Sequence, residues 1–197
     1  ARNVPSLRSQ LSIDSRINCT DCHTNDDPAG PRGPHGSRVD GALGATMNRQ
    51  EGQPESESTY ALCYACHDRQ IVLERDAFPF HEDHVVDSRV PCGFCHEPHG
   101  ATSAPALIRF NEPTVLTGVT VSSSGMLGYE SLGLGSGACY LTCHGVDHDP
   151  LGYGVGFDGN GLQLVPRLSG RESLSTAPRR VPGTRVAPSP RKPDEPK

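Results

Sequence analysis

The sequence predicts a mostly irregular coil with short helices and one small β-hairpin, built around something other than a core of aliphatic side chains. Three observations predict it. Leu, Ile, Val and Phe make up only 39 of the 197 residues, at the edge of what lets a chain offset its backbone entropy by burial. Gly and Pro contribute 22 and 18 residues, and both interrupt regular elements. There is no Trp, while eight residues are Cys. A large conventional core is therefore excluded. So is a membrane-spanning helix, because no apolar run approaches the roughly 18 residues required. The length suits one domain with an appendage.

The cysteines fall in four pairs, each followed at once by a histidine: Cys19-Thr-Asp-Cys22-His23, Cys63-Tyr-Ala-Cys66-His67, Cys92-Gly-Phe-Cys95-His96 and Cys139-Tyr-Leu-Thr-Cys143-His144. Three are C-x-x-C-H, the attachment signature of c-type haem. The fourth is one residue longer, which a bulge in the loop would absorb. The chemistry needs this spacing. Two thiols add to the two vinyl groups on one porphyrin edge, and the adjacent histidine is placed under the iron as proximal ligand. Zinc knuckles would use paired cysteines but do not account for a histidine after every second one. A disulfide framework is a poor fit to closely spaced pairs, which are redox-labile. Four covalently attached haems are therefore expected, and as the core of the molecule they explain its apolar poverty.

Five further histidines, His35, His81, His84, His99 and His148, face a demand for four distal ligands, with only Met47 and Met126 as alternatives. Bis-histidine ligation throughout is the simplest account, with one histidine left over. His99 lies three residues beyond His96, and His148 four beyond His144. A span of three or four residues reaches only about 10–14 Å, too little to round a porphyrin edge. Each should therefore ligate an iron other than that of its own motif, which draws neighbouring haems together.

Along the chain, residues 1–18 read as a polar extended arm, and 24–58 as loop, with His35 among the breakers of Pro28-Ala-Gly-Pro-Arg-Gly-Pro-His35-Gly. The stretch 59–76 has a helical pattern without internal Gly or Pro. Next, Phe78-Pro-Phe80-His81-Glu-Asp-His84 offers two histidines at i, i+3, on one side of a helical turn. Residues 104–138 lack His and Cys, and the alternation of Val115, Val119 and Val121 predicts the β-hairpin. Asp158-Gly-Asn160-Gly161 faintly resembles part of a calcium loop but reads as an ordinary turn. Residues 1–165 are thus expected to form the tetrahaem domain, with 104–138 as a haem-free hairpin insertion. The remaining 166–197 form an extended Pro/Arg-rich tail with 8 Lys or Arg against 3 acids. The body that remains is acidic, which disfavours nucleic acid as a partner and leaves the tail free to lie over carboxylates.

These strings resemble the multihaem c-type cytochromes of metal-reducing bacteria over about residues 17–150. Gly33-Pro-His35-Gly after the first motif, Phe80-His81-x-x-His84-Val before the third, Cys95-His96-x-Pro-His99-Gly, and Cys143-His144-Gly-x-x-His148 carry the likeness. The resemblance implies electron transfer through a chain of bis-histidine haems in a subunit of an extracellular conducting filament. There, one distal histidine comes from the adjacent copy, and the further partners are redox cytochromes or extracellular acceptors. A soluble periplasmic or secreted tetrahaem shuttle is the alternative, and a multihaem reductase, which would need an open iron position, is the weaker one. Because haem attachment takes place outside the cytoplasm, an export signal removed before Ala1 is expected, with the protein extracellular, at the cell surface or in the periplasm.

Overall fold

Short turns, closed locally by the residues that form them, dominate the backbone. The computed structural model describes residues 4–12, 14–31, 33–75, 78–100, 105–110, 118–133 and 135–157, with the backbone of Arg179–Arg180. The predicted turn at 158–161, Val115, and nearly all of the tail lie outside the described residues.

Among the described residues, four short α-helices occur in order: α1 Cys19–Cys22, α2 Ala61–Tyr64, α3 Arg69–Arg75 and α4 Cys92–Cys95. Helix α1 begins at Asn18, whose backbone N–H donates to the Asp21 carboxylate at 2.6 Å. Helix α3 begins behind Asp68, whose carboxylate accepts from the Ile71 N–H at 3.0 Å, an ordinary acidic cap. The helical pattern over 59–76 is thus broken at 65–68, where the second motif turns. The two-histidine segment is a π-helical turn, Glu82–Asp87, that opens from His81, with the Ser88 N–H reaching back five residues to the Asp83 carbonyl.

The expected hairpin is part of a larger antiparallel sheet. Strands β1 Val119–Thr120, β2 Met126–Gly133, β3 Ser136–Cys143, β4 Val146–Tyr153 and β5 Arg179–Arg180 are ordered β1-β3-β2-β5, with β4 pairing β3. The central strand β3 carries the fourth cysteine pair, so pairing runs on past residue 138. Cys143 pairs with Val146, leaving His144 and Gly145 as a two-residue turn. Both have positive φ, 46° and 83°, the pattern of a type I′ hairpin turn.

The N-terminal arm packs instead of extending freely. Leu7 bridges His67, the Arg8 N–H donates to the Cys66 carbonyl, and Ser6 is buried. Among the described residues, two small clusters of buried apolar side chains form, with Leu43, Tyr129, Ala138, Tyr153 and Phe157 buried outside them. Tyr60, Tyr64 and Val85 pack with Cys63, Leu73 and Cys92, while Val119, Leu127 and Leu141 pack with Phe110, Val121, Cys139 and Cys143.

Beside the first cluster, the Glu55 carboxylate, 1% exposed, meets the Arg69 guanidinium and accepts a hydrogen bond from the Tyr64 hydroxyl at 2.9 Å. The Arg69 hydrogen bond, outweighing burial, holds Glu55 below its ordinary value. Its stabilisation is therefore present above the unfolded glutamate value of about 4.3 and is lost as pH falls through the lower folded value. Glu55→Gln should cost about 1–2 kcal/mol at pH 7, reduced by the partial exposure of Arg69, and should flatten the fall in stability just below pH 4.3. Denaturant midpoints across that range check this.

Candidate haem-binding sites

The first three attachment motifs share one local geometry. Each cysteine pair spans a helical turn, and the following histidine N–H closes it on the carbonyl of the first cysteine: His23 to Cys19 at 2.7 Å, His67 to Cys63 at 3.0 Å, and His96 to Cys92 at 3.0 Å. Positions i and i+3 of a helical turn lie about 5–6 Å apart on one side, which suits two thiols reaching one porphyrin edge. The fourth motif differs. Cys139 and Cys143 lie on β3, four residues and about 13 Å of extended chain apart, and the His144 N–H donates instead to the Gly118 carbonyl at 3.1 Å. All eight thiols are free, Cys19 exposed and the others half-buried.

Thiols of successive motifs are neighbours. Cys22 lies within electrostatic reach of Cys66 and Cys63, Cys63 within that of Cys92, and Cys95 within that of Cys139 and Cys143. Burial, and then the proximity of Cys143, pushes the Cys95 thiol up to about 12. Burial and Cys95 do the same for Cys139, to about 12. Both are neutral thiols at physiological pH, the form that adds across a vinyl group only when activated.

The histidine rings carry a second regularity. Nδ1 donates to the Gly41 carbonyl from His23 (2.7 Å), to Val72 from His81 (3.0 Å), to Phe80 from His84 (2.7 Å), to Ala106 from His96 (2.6 Å) and to Val146 from His148 (3.2 Å). A carbonyl can only accept, so in the neutral imidazole the lone pair lies on Nε2, the nitrogen offered to a metal. His99 Nδ1 meets the Glu97 carboxylate at 3.0 Å, and His67 Nδ1 meets the Ser6 hydroxyl at 3.0 Å.

The rings also come in twos. His23 and His99 have centroids 6.1 Å apart, His81 and His96 6.2 Å, and His84 and His148 6.4 Å. Two imidazoles bound to opposite sides of one metal, at about 2.0 Å per bond, place their ring centres a little over 6 Å apart. Aromatic contact alone covers about 4.5–7 Å, so the distance does not by itself require a metal. The conjunction does the discriminating: all six rings in these pairs also anchor Nδ1. These six rings therefore fit as ligands of haem iron, with Cys19, Cys22, Cys63, Cys66, Cys92 and Cys95 as attachment points.

The ring of His99 thus lies beside that of His23, and the ring of His148 beside that of His84. His81 and His84, expected on one side of a turn, address different partners, because the π-turn spreads residues that an α-turn would align. Phe78 packs against both rings, at 5.0 and 5.7 Å, and against Tyr153 of β4 at 5.0 Å. His35 is exposed on its loop, and His144 bonds the Glu51 carboxylate through Nε2 at 2.8 Å. Sequence reading missed every Nδ1 partner. Most are backbone carbonyls, which no residue type advertises, and Ser6 lies 61 residues from His67; Glu51, which bonds Nε2 of His144, lies 93 residues from it.

A family model described as the doubled CXXCH motif matches residues 13–71, spanning the first two attachment motifs. The match indicates a multihaem c-type cytochrome-like protein that binds haem c. Searches of curated proteins and of solved structures gave no match. Among the described residues, no helix is long and apolar enough to cross a membrane.

His99→Ala should open one iron to carbon monoxide, seen as a shifted Soret band in the reduced protein. In a protein already lacking the first attachment (Cys19→Ser with Cys22→Ser), the same change should add nothing.

Proposed function

We propose that this chain transfers electrons through four c-type haems in sequence order, as the subunit of an extracellular conducting filament. The observation that carries the electron-transfer reading is the contiguity of the attachment thiols, from Cys22 and Cys66 through Cys63 and Cys92 to Cys95 and Cys139. Haem supplies a reversible one-electron iron couple. The chain's part would be to keep the attachment thiols adjacent and, through the Nδ1 bonds of His23, His67, His81, His84, His96, His99 and His148, to orient imidazoles that would fill the iron's open positions. Filling them favours electron transfer over substrate chemistry at iron, so a reductase role is the weaker reading. The reduced wild-type protein should show little change with carbon monoxide, whereas a reductase would show an open site.

The filament reading rests on the resemblance and on His35. That ring is exposed on a turn whose flanking glycines, Gly33 and Gly36, both have positive φ, a place from which it can reach a second copy. Electron microscopy of the purified haem-loaded protein should show filaments, and His35→Ala should yield single particles with one additional carbon monoxide-reactive iron. Single particles in wild-type preparations would favour the soluble shuttle, periplasmic or secreted.

A further inference from the structure

We propose that Glu97 is a positioning residue of the first haem: its carboxylate, bonded to Nδ1 of His99, makes the iron between His23 and His99 the one hardest to reduce in this chain. This rests on the haem reading and deepens it, because the attachment motifs say where haems are bound and not how their potentials are ordered.

The acceptor that holds His99 differs in kind from the others. Nδ1 of His23, His81, His84, His96 and His148 donates to a backbone carbonyl, and His67 meets the Ser6 hydroxyl. Among the Nδ1 bonds of the described residues, that of His99 alone runs to a carboxylate, Oε1 of Glu97 at 3.0 Å. The same oxygen accepts the His99 backbone N–H at 3.1 Å, so one atom fixes both the ring and the backbone of this residue. Glu97 is itself seated. Its N–H donates to the Leu107 carbonyl at 2.8 Å, and its carbonyl accepts from the Gly100 N–H at 3.0 Å, which closes the turn around His99.

Charge decides the effect. A carbonyl offers a dipole, whereas a glutamate, titrating at about 4.3, carries a full negative charge at neutral pH. A charged acceptor draws harder on the Nδ1 proton and raises the basicity of Nε2. A more basic ligand and a nearby anion both favour ferric over ferrous iron, so the potential falls. Exposure acts in the same direction, because water stabilises the more highly charged state. The His99 side chain is 72% exposed and that of Glu97 30%, and residues 18–21, Cys19 among them, are exposed. Water also screens the carboxylate, and Arg109, within electrostatic reach, offsets part of its charge. The bond to Nδ1 acts through the ring itself and escapes most of that screening. Since Cys22 neighbours Cys66 and Cys63, an electron placed on the first haem runs downhill toward the second.

The test is a redox titration of the haem-loaded protein. Glu97→Gln keeps an oxygen to accept both N–H groups of His99 and removes the charge. It should raise the lowest midpoint and move the others less, with every iron still low-spin in electron paramagnetic resonance and none opened to carbon monoxide. Glu57→Gln removes the same charge at an exposed site outside the histidine bonds, and should leave that midpoint in place. Independently of any change at Glu97, the protein lacking the first attachment, Cys19→Ser with Cys22→Ser, should lack the lowest midpoint of the wild type. A lowest midpoint unmoved in Glu97→Gln, a larger rise at another midpoint, an open iron in that variant, or a lowest midpoint that survives loss of the first attachment would each overturn the inference and leave the electron-transfer reading standing. A wild-type protein without haem would instead remove the reading beneath it.

Discussion

Committing Nδ1 of a histidine to an acceptor is the constraint from which the rest of this structure follows. A free imidazole rotates about two bonds and offers either nitrogen; once Nδ1 donates, the ring plane and the direction of Nε2 are both set. Each such bond needs a carbonyl brought to a particular place, and the backbone bends to supply it. Gly41, whose carbonyl receives His23, has φ 77°, and the next residue, Ala42, has φ 54°. Ala106, whose carbonyl receives His96, has φ 58°, and Leu107 follows at 58°. Left-handed backbone at a residue with a Cβ costs about 1–3 kcal/mol and persists where the surroundings impose it. Here the imposed conformations sit beside the carbonyls that orient motif histidines.

The first two attachment motifs, which the family model also matches, are legible in the sequence, because thiol spacing and the adjacent histidine follow the shape of one cofactor. The short-span argument for His99 and His148 needs only chain length, and the structure sets each ring beside a histidine outside its own motif. What was not legible is anything that depends on backbone path. The helical pattern at 59–76 has no internal Gly or Pro, yet the second motif breaks it, because the His67 N–H closes on Cys63 while the Asp68 N–H goes to the carbonyl of Ser6. The sheet was read as a hairpin ending before Cys139. The pattern of β3, Gly137-Ala-Cys-Tyr-Leu-Thr-Cys, alternates as a strand should, but the expectation of an attachment loop hid it.

Scarcity of aliphatic residues shows directly in how the chain packs. The two clusters are small, and cysteines belong to both: Cys63 and Cys92 in the first, Cys139 and Cys143 in the second. These side chains are destined, on the proposed reading, to carry thioethers, so the apolar clusters and the attachment edges are one construction. Tyrosine fills the remaining volume and needs partners for its hydroxyl when buried. Tyr64 finds Glu55, and Tyr129 and Tyr153 find each other at 2.8 Å. Polar partners so placed make the packing directional, which a handful of aliphatic contacts would not.

The segment 78–87 shows how one short piece of chain couples two sites. An α-turn would stack His81 and His84 on one side, and both would compete for a single neighbour. Widening the turn to the π form separates their directions, so that His81 reaches His96 of the third motif and His84 reaches His148 on the sheet. Phe78 lies against both rings and edge-on to Tyr153, tying the same turn to β4. A rotation of this turn would therefore move a ligand candidate on each side at once. Because Tyr153 is also bonded to Tyr129 on β2, such a rotation would have to work against the sheet. The helical half of the molecule, which carries the first three motifs, and the strand half, which carries the fourth, are thereby held in one register by three residues of a single turn.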